Sequence, residues 1–313
     1  MDNGADQCAI RPALQGDQTI MSEQKQKNYQ TEWSFDMSKL ADRVTDFAKS
    51  VGTRAEEEVR HERFVAALNG AQSATADLHL SVGKTVIHAI SGENLIEADL
   101  TYVGDIRFEV AGDAEKTVHL SQEAGGAGFF RNVFGWVGSG QKLNWDIGLS
   151  RHVPMDLRIR GGVGKTDMNL QELDVTALRF SSGTGEVSAI LPAPDRNYEA
   201  RIDCGVGKVD IVVPHSADLR LDVNGGTGEF NLEIGENVDL NLNVSAGVGA
   251  VNIRLPQGAA VRLAGKRGIG SIRVPDTMAR VGAGDVWQSV NYETAERRIT
   301  IHYQGGIGTL HVK

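Results

Sequence analysis

The feature that most limits this chain is a pair of glycines, separated by one residue, that returns every 21 or 22 positions. The first glycines of these pairs are Gly162, Gly183, Gly205, Gly226, Gly247 and Gly268, then Gly306, at steps of 21, 22, 21, 21, 21 and 38. The last step is one period plus 17 residues, which places an insertion in one turn. Upstream, Ser81-Val82-Gly83 and Tyr102-Val103-Gly104 keep the second glycine, again 21 apart. The 60 residues from 102 to 162 are two periods plus 18, an excess that matches the Gly-rich stretch 124–141. Self-similarity at a fixed period of this length marks a stacked repeat and overrides a length-based expectation of two domains.

Each repeat holds two strands. After the glycines, apolar and polar residues alternate, as in Lys208-Val209-Asp210-Ile211-Val212-Val213 and Glu229-Phe230-Asn231-Leu232-Glu233-Ile234. Before them lies a second alternating run, such as Leu219-Arg220-Leu221-Asp222-Val223-Asn224. Alternation with period two buries one face of a strand. Pro192, Pro214, Pro256 and Pro275 close the first run, because proline cannot donate to a ladder. These patterns predict an all-β fold: a parallel β-solenoid with two strands per rung and about ten rungs, right-handed as parallel crossovers are. Inward columns Val187/Val209/Phe230/Val251/Ile272 and Ala189/Ile211/Leu232/Ile253/Val274 would fill its core. An outward column reads Lys84, Asp105, Lys165, Glu186, Lys208, Glu229, with signs alternating between adjacent charged rungs, as a parallel stack favours.

The ends differ. Residues 1–35 are polar and patternless, and Met21 is an alternative start to Met1. Over 36–69 the stripe Leu40, Val44, Phe47, Val51 and the capping box Thr53-Arg54-Ala55-Glu56 predict two short helices, the second to about Leu68. They would cap a solenoid over 70–313 that carries insertions at about 124–141 and 276–298. The first insertion holds Phe129, Phe130, Phe134 and Trp136, a candidate contact for a partner or a membrane. The chain closes on Thr309-Leu310-His311-Val312 with no cap after it, which predicts an open strand edge for self-association into a dimer or filament; the alternative is that the 276–298 insertion folds over the last rung and leaves a monomer.

The net charge of −9 argues against nucleic acid and against electrostatic binding to anionic lipid. No apolar run reaches the ~20 residues of a membrane-crossing helix, and the N-terminus lacks a secretory pattern, so a cytoplasmic location is expected. Cys8 and Cys204 make no disulfide framework, and Cys204 falls on an inward position. Gly162-Val163-Gly164-Lys165-Thr166 resembles the end of a phosphate loop, but Ile159 stands where the motif needs glycine. The Gly-Gly-x-Gly stretches lack the Asp of calcium-binding repeats. Eight scattered histidines show no metal-ligand spacing, so no metal, cofactor or catalytic residue is expected. The column Asp167, Ser188, Asp210, Asn231, Asn252 is read as a solvated face rather than the acid pair of a polysaccharide-cleaving enzyme.

Leu143-Asn144-Trp145-Asp146-Ile147 and Val153-Pro154-Met155-Asp156-Leu157, leading into the glycine repeats, resemble the toast-rack family, also called cell-wall-active antibiotic response proteins. Glu97-Ala98-Asp99-Leu100-Thr101-Tyr102-Val103-Gly104 is similar to its N-terminal module. The resemblance covers about 75–313. It implies a β-helix-like fold, a stress or scaffolding role at the bacterial envelope, and no catalytic residues. The resulting expectation is a non-catalytic scaffold that binds itself or a protein partner. A membrane adaptor using 129–137 is the alternative, and a carbohydrate-active enzyme stands third.

Overall fold

Residues 59–123 and 143–313 are described by the structure, a computed structural model. They form strands and no helix. The first seven strands are β1 (Val59–Ala67), β2 (Ser73–His79), β3 (Val82–Ile90), β4 (Asn94–Val103), β5 (Asp105–Ala111), β6 (Glu115–Glu123) and β7 (Asn144–Ser150). The regular repeats then supply β8 (Met155–Arg160), β9 (Val163–Asn169), β10 (Val175–Ser181), β11 (Thr184–Ile190), β12 (Tyr198–Asp203), β13 (Val206–Val213), β14 (Asp218–Asn224), β15 (Thr227–Ile234), β16 (Asp239–Ser245) and β17 (Val248–Arg254). The C-terminal part holds β18 (Val261–Lys266), β19 (Ile269–Arg273), β20 (Met278–Arg280), β21 (Val286–Ser289), β22 (Ile299–Gln304) and β23 (Ile307–Val312).

Within a repeat, the run before the glycines joins one sheet and the run after them joins the other. The first sheet has the order β20-β21-β18-β22-β16-β14-β12-β10-β8-β2-β6-β5, and the second β1-β4-β7-β3-β9-β11-β13-β15-β17-β23-β19. From β8 to β15 each strand pairs in parallel with the strand one repeat later, so homologous positions stack. Leu78, Ile159, Phe180, Ile202, Val223, Val244 and Tyr303 form one such inward column, and all are buried. Burying side chains of this size contributes roughly 1.5–3 kcal/mol each, repeated rung after rung.

The corner explains the glycines. The second glycine of each pair takes a positive φ, from +129° at Gly83 to +157° at Gly270. Its missing side chain also lets neighbouring rungs approach, since a Cβ at Gly185 would lie 1.8 Å from the Gly164 carbonyl oxygen. On the outer faces, amides continue the stacking. The Asn231 amide donates to Asp210 at 2.7 Å and Asn252 to Asn231 at 2.8 Å. Asn224 donates to Asp203 and Asn243 to Asp222, each at 2.6 Å.

The expected N-terminal cap is corrected in its second half, while residues 36–58 lie outside those described. Residues 59–67 are a strand and not a helix, antiparallel to β4 from Val59↔Val103 to Ala67↔Asn94. The charges that read as a helical face find partners on β4 and at the start of β5. Arg60 pairs with Asp105 at 3.0 Å, Arg63 with Glu97 at 2.6 Å, and the Phe64 ring lies 5.4 Å from that of Phe108. Tertiary pairing thus overrides a local helical signal. Among the described residues the strands therefore begin at Val59 rather than at residue 70.

Two further expectations change. The Tyr102-Val103-Gly104 copy is not a parallel rung, because β4 and β5 run antiparallel to β7 and β6. Asp105 therefore leaves the charge column, and Lys84 pairs directly with Lys165. Alternation holds only from Lys165 through Glu186 and Lys208 to Glu229. The 276–298 insertion covers the β18/β19 rung in one sheet alone. It contains β20 and β21, a hairpin paired antiparallel to the outer side of β18.

Candidate functional site

The C-terminal end is where this fold leaves backbone and apolar surface uncovered together. Sequence order would stack β22 and β23 outside β18 and β19. The structure inserts them instead between the β16/β17 rung and the β18/β19 rung. The hairpin that follows β19 in the chain already holds the outer side of β18, so β22 has only the inner side left. Ile299, Ile301, Tyr303, Leu310 and Val312 are consequently buried from both sides.

The predicted edge residues Thr309, Leu310, His311 and Val312 therefore form no edge. All four lie in β23 alongside β17, and Thr309, Leu310 and His311 also face β19. The edge is β19. Its Ile269 N–H donates to Gly306 at 2.9 Å, and alternation along the strand then turns the backbone groups of Gly270 and Ile272 outward. Ile272 still packs against the core, where it fills the space left by Gly265 beside Trp287. In the sheet containing β18, β21 and then the three-residue β20 lie outside it, so that sheet ends on the short strand β20 and the other sheet on β19.

A ridge runs to the same edge. The residue between each pair of glycines points outward, giving the column Val82, Val163, Thr184, Val206, Thr227, Val248, Ile307, Ile269. Val82 is buried with Val103 and Leu143. Exposure then rises along the axis to 38% at Val206, 49% at Val248, 53% at Ile307 and 74% at Ile269. The sequence contained this signal, because every one of these residues is β-branched at a position that glycine flanks.

Elsewhere the candidates divide. Phe129, Phe130, Phe134 and Trp136 lie outside the described residues. The acidic column is committed to its own ladder, for Asp210 accepts from Asn231 and faces the Lys208 ammonium at 3.0 Å. A shallow recess of about 280 Å³ lies over Ser188, Asp210, Asn231 and Asn252, closed at one side by Arg254 and Lys313. Cys204 sits at the corner before Gly205, half-buried against the core. Burial, then the neighbouring Asp203 carboxylate, pushes its thiol up to about 12. Only a thiolate attacks an alkylating agent. In a Cys8→Ser background, Cys204 should be alkylated at pH 8 at least ~100-fold more slowly in the folded chain than in urea, because the thiolate fraction falls about tenfold each time the pKa rises by one. Equal rates would show the corner to be open.

The histidines are the one place where sequence reasoning missed a cluster. Asp77, His79 and His119 share the outer face of one sheet, on β2 and the adjacent β6. Asp77 and His79 are two apart on a strand, a spacing that puts both on one face. The third member was not legible, because β6 is paired with β2 only in the folded chain.

Comparison with known proteins adds three findings. Residues 53–212 match the family described as the N-terminal domain of toast_rack, DUF2154. No curated protein matches the chain. Among solved structures, a proposed cell adhesion protein from Clostridium sporogenes is similar at 18% identity with a TM-score of 0.40, over 82% of this chain and 99% of that one. A proposed adhesin from Bacteroides fragilis is similar at 12% identity with a TM-score of 0.37, over 84% and 100%.

Proposed function

This chain belongs to the toast-rack family, and on that premise we propose that it is a non-catalytic scaffold that associates with itself through its C-terminal end. The observation that carries this reading is the convergence of the free β19 edge and the most exposed part of the apolar ridge at Ile269. An unpaired edge with apolar side chains templates pairing with another chain. β19 is Ile269-Gly270-Ser271-Ile272-Arg273, with one charge in five residues. The edge at the opposite end, β1, carries Arg60, His61, Glu62 and Arg63 in succession, a composition that discourages edge pairing. Head-to-tail filaments are therefore disfavoured against a closed two-fold dimer.

Two-fold symmetry makes the pairing antiparallel. With the axis at Ser271, Gly270 of one copy and Ile272 of the other exchange both backbone hydrogen bonds, twice over. The same register sets Ile269 beside Arg273 of the second copy. Stress-related scaffolding at the bacterial envelope is the setting that the family suggests for such an assembly. Among the described residues no helix is long and apolar enough to cross a membrane. The adaptor reading through residues 129–137 has no observation of its own among them.

Sedimentation velocity tests the dimer. The parent should be dimeric at ~10 μM, and Ile269→Lys should be monomeric, because it loses apolar contact and opposes two Arg273 side chains. Its thermal midpoint should not change with protein concentration, whereas the dimeric parent's should rise with it, as linkage to association requires. A parent that stays monomeric at ~100 μM, or a variant that dimerises as well as the parent, overturns the reading.

A further inference from the structure

We propose that Asp77, His79 and His119 form a binding site for a divalent transition metal of the zinc type, independent of the C-terminal edge. The fold builds the site from two strands that are neighbours only in space. Asp77 on β2 is in register with His119 on β6, and His79 projects from the same face of β2 two residues on. His79 Nε2 lies 3.2 Å from Asp77 Oδ1, and His119 Nδ1 lies 3.5 Å from Asp77 Oδ2. The two rings meet edge to face with centroids 5.1 Å apart. One donor atom from each residue falls within 4.8 Å of the others. Each imidazole faces a different oxygen of the Asp77 carboxylate, so a small rotation of that carboxylate brings one oxygen toward the ~3.3–3.4 Å spacing that tetrahedral bonds of ~2.0–2.1 Å require.

The donor set selects the cation. Two imidazole nitrogens and one carboxylate oxygen suit zinc and its first-row neighbours, whereas calcium and magnesium take oxygen shells. Three protein ligands with partial exposure leave a fourth position for water, the open form of a zinc site. The side chains are 24%, 31% and 28% exposed for Asp77, His79 and His119, so an ion can enter while part of its shell is shielded.

The surroundings also bear on affinity. His119 Nε2 lies 3.0 Å from the Ser121 hydroxyl, which orients the ring with its other nitrogen toward Asp77. Glu109, the register partner of His119 on β5, adds a carboxylate to the same face and is held by Arg107 at 2.8 Å. On the far side Arg158 and Arg160 are the register partners of Asp77 and His79. Arg158 is turned to Asp156 at 2.7 Å, which offsets its charge. A bound ion would tie β2 to β6, pinning the N-terminal rung that lies between β6/β7 and β8/β9.

The test uses the full chain after chelator treatment, titrated with zinc chloride by calorimetry and with cobalt chloride by visible absorption. The parent should bind one equivalent and melt higher with zinc, as linkage requires of a ligand that binds only the folded state. His79→Gln and His119→Gln should each weaken binding at least about tenfold, since losing even an outer-shell partner costs that much. A parent that shows no zinc heat and no cobalt spectrum at ~100 μM overturns the site. So does binding unchanged in both variants, which would place the ion elsewhere. Should a variant fail to fold, the cobalt spectrum of the parent decides, because its ligand-field bands distinguish a tetrahedral site with imidazole ligands from the free hydrated ion.

Discussion

Gly207→Ala should abolish the cooperative fold or cost more than about 4 kcal/mol, an effect reached only by a short list of mechanisms. Two of them act at once here. Gly207 has φ +135°, a conformation that side chains resist. A Cβ there would also sit 1.9 Å from the Gly185 carbonyl oxygen and 2.9 Å from its carbon. Those atoms belong to the backbone of the adjacent rung and cannot rotate away as a flexible side chain could. Relief requires the two rungs to separate, and with them the hydrogen bonds of β11 and β13 on one side and β13 and β15 on the other. Gly258 is the control, with φ +73° and nothing within 4 Å of its would-be Cβ. Gly258→Ala should cost about 1 kcal/mol, the strain of a left-handed non-glycine residue. Urea denaturation of the two variants separates these cases. Similar midpoints would mean that the corners are not close-stacked.

His311→Pro is the second large effect. Proline is tolerated in a sheet only where its missing N–H would face solvent. β23 lies between β17 and β19. The Ile307 and Lys313 N–H groups donate to Gly247 and Ile253, and the same alternation sends the His311 N–H to β17. Proline there deletes a ladder bond inside the sheet and introduces a ring into a paired strand. A loss of roughly 3 kcal/mol or more is expected, the scale of proline in a paired backbone. Ile272→Ala in β19 should cost less, because Ile272 is only half-buried. Thermal melts of the two variants check the ranking, and a His311→Pro protein as stable as the parent would show that the His311 N–H makes no ladder bond.

What was legible in the sequence is what each rung repeats. The glycine corners, the alternating inward columns and the amide stacks at Asp210, Asn231 and Asn252 all depend on residues one period apart, so spacing alone carries them. The inward column Val187, Val209, Phe230, Val251 was read correctly as far as Val251. Leu310 then enters between Val251 and Ile272. The ends were less legible, because a parallel rung bonds only to its neighbours and its period does not say which rung those are. Gly268 follows Gly247 by 21 residues, the ordinary step, yet β19 is displaced from β17 by a whole strand.

The sequence by itself determined the unit: two short half-buried strands, a glycine corner that no side chain fits, and a common register for every copy. Tertiary structure alone decided the order in which the last units stack, and with it the free edge. That choice was made by the hairpin of β20 and β21, which occupies the outer side of β18 and leaves β22 only the inner one. Residues 59–67 were settled in the same way. Their charges suit a helix surface or a cross-strand ladder equally well, and the partners Glu97, Thr101 and Asp105 that favour the strand lie 34 to 45 residues away. Asp77 and His119 are likewise brought together by pairing over 42 positions, a distance at which no local pattern can announce a site.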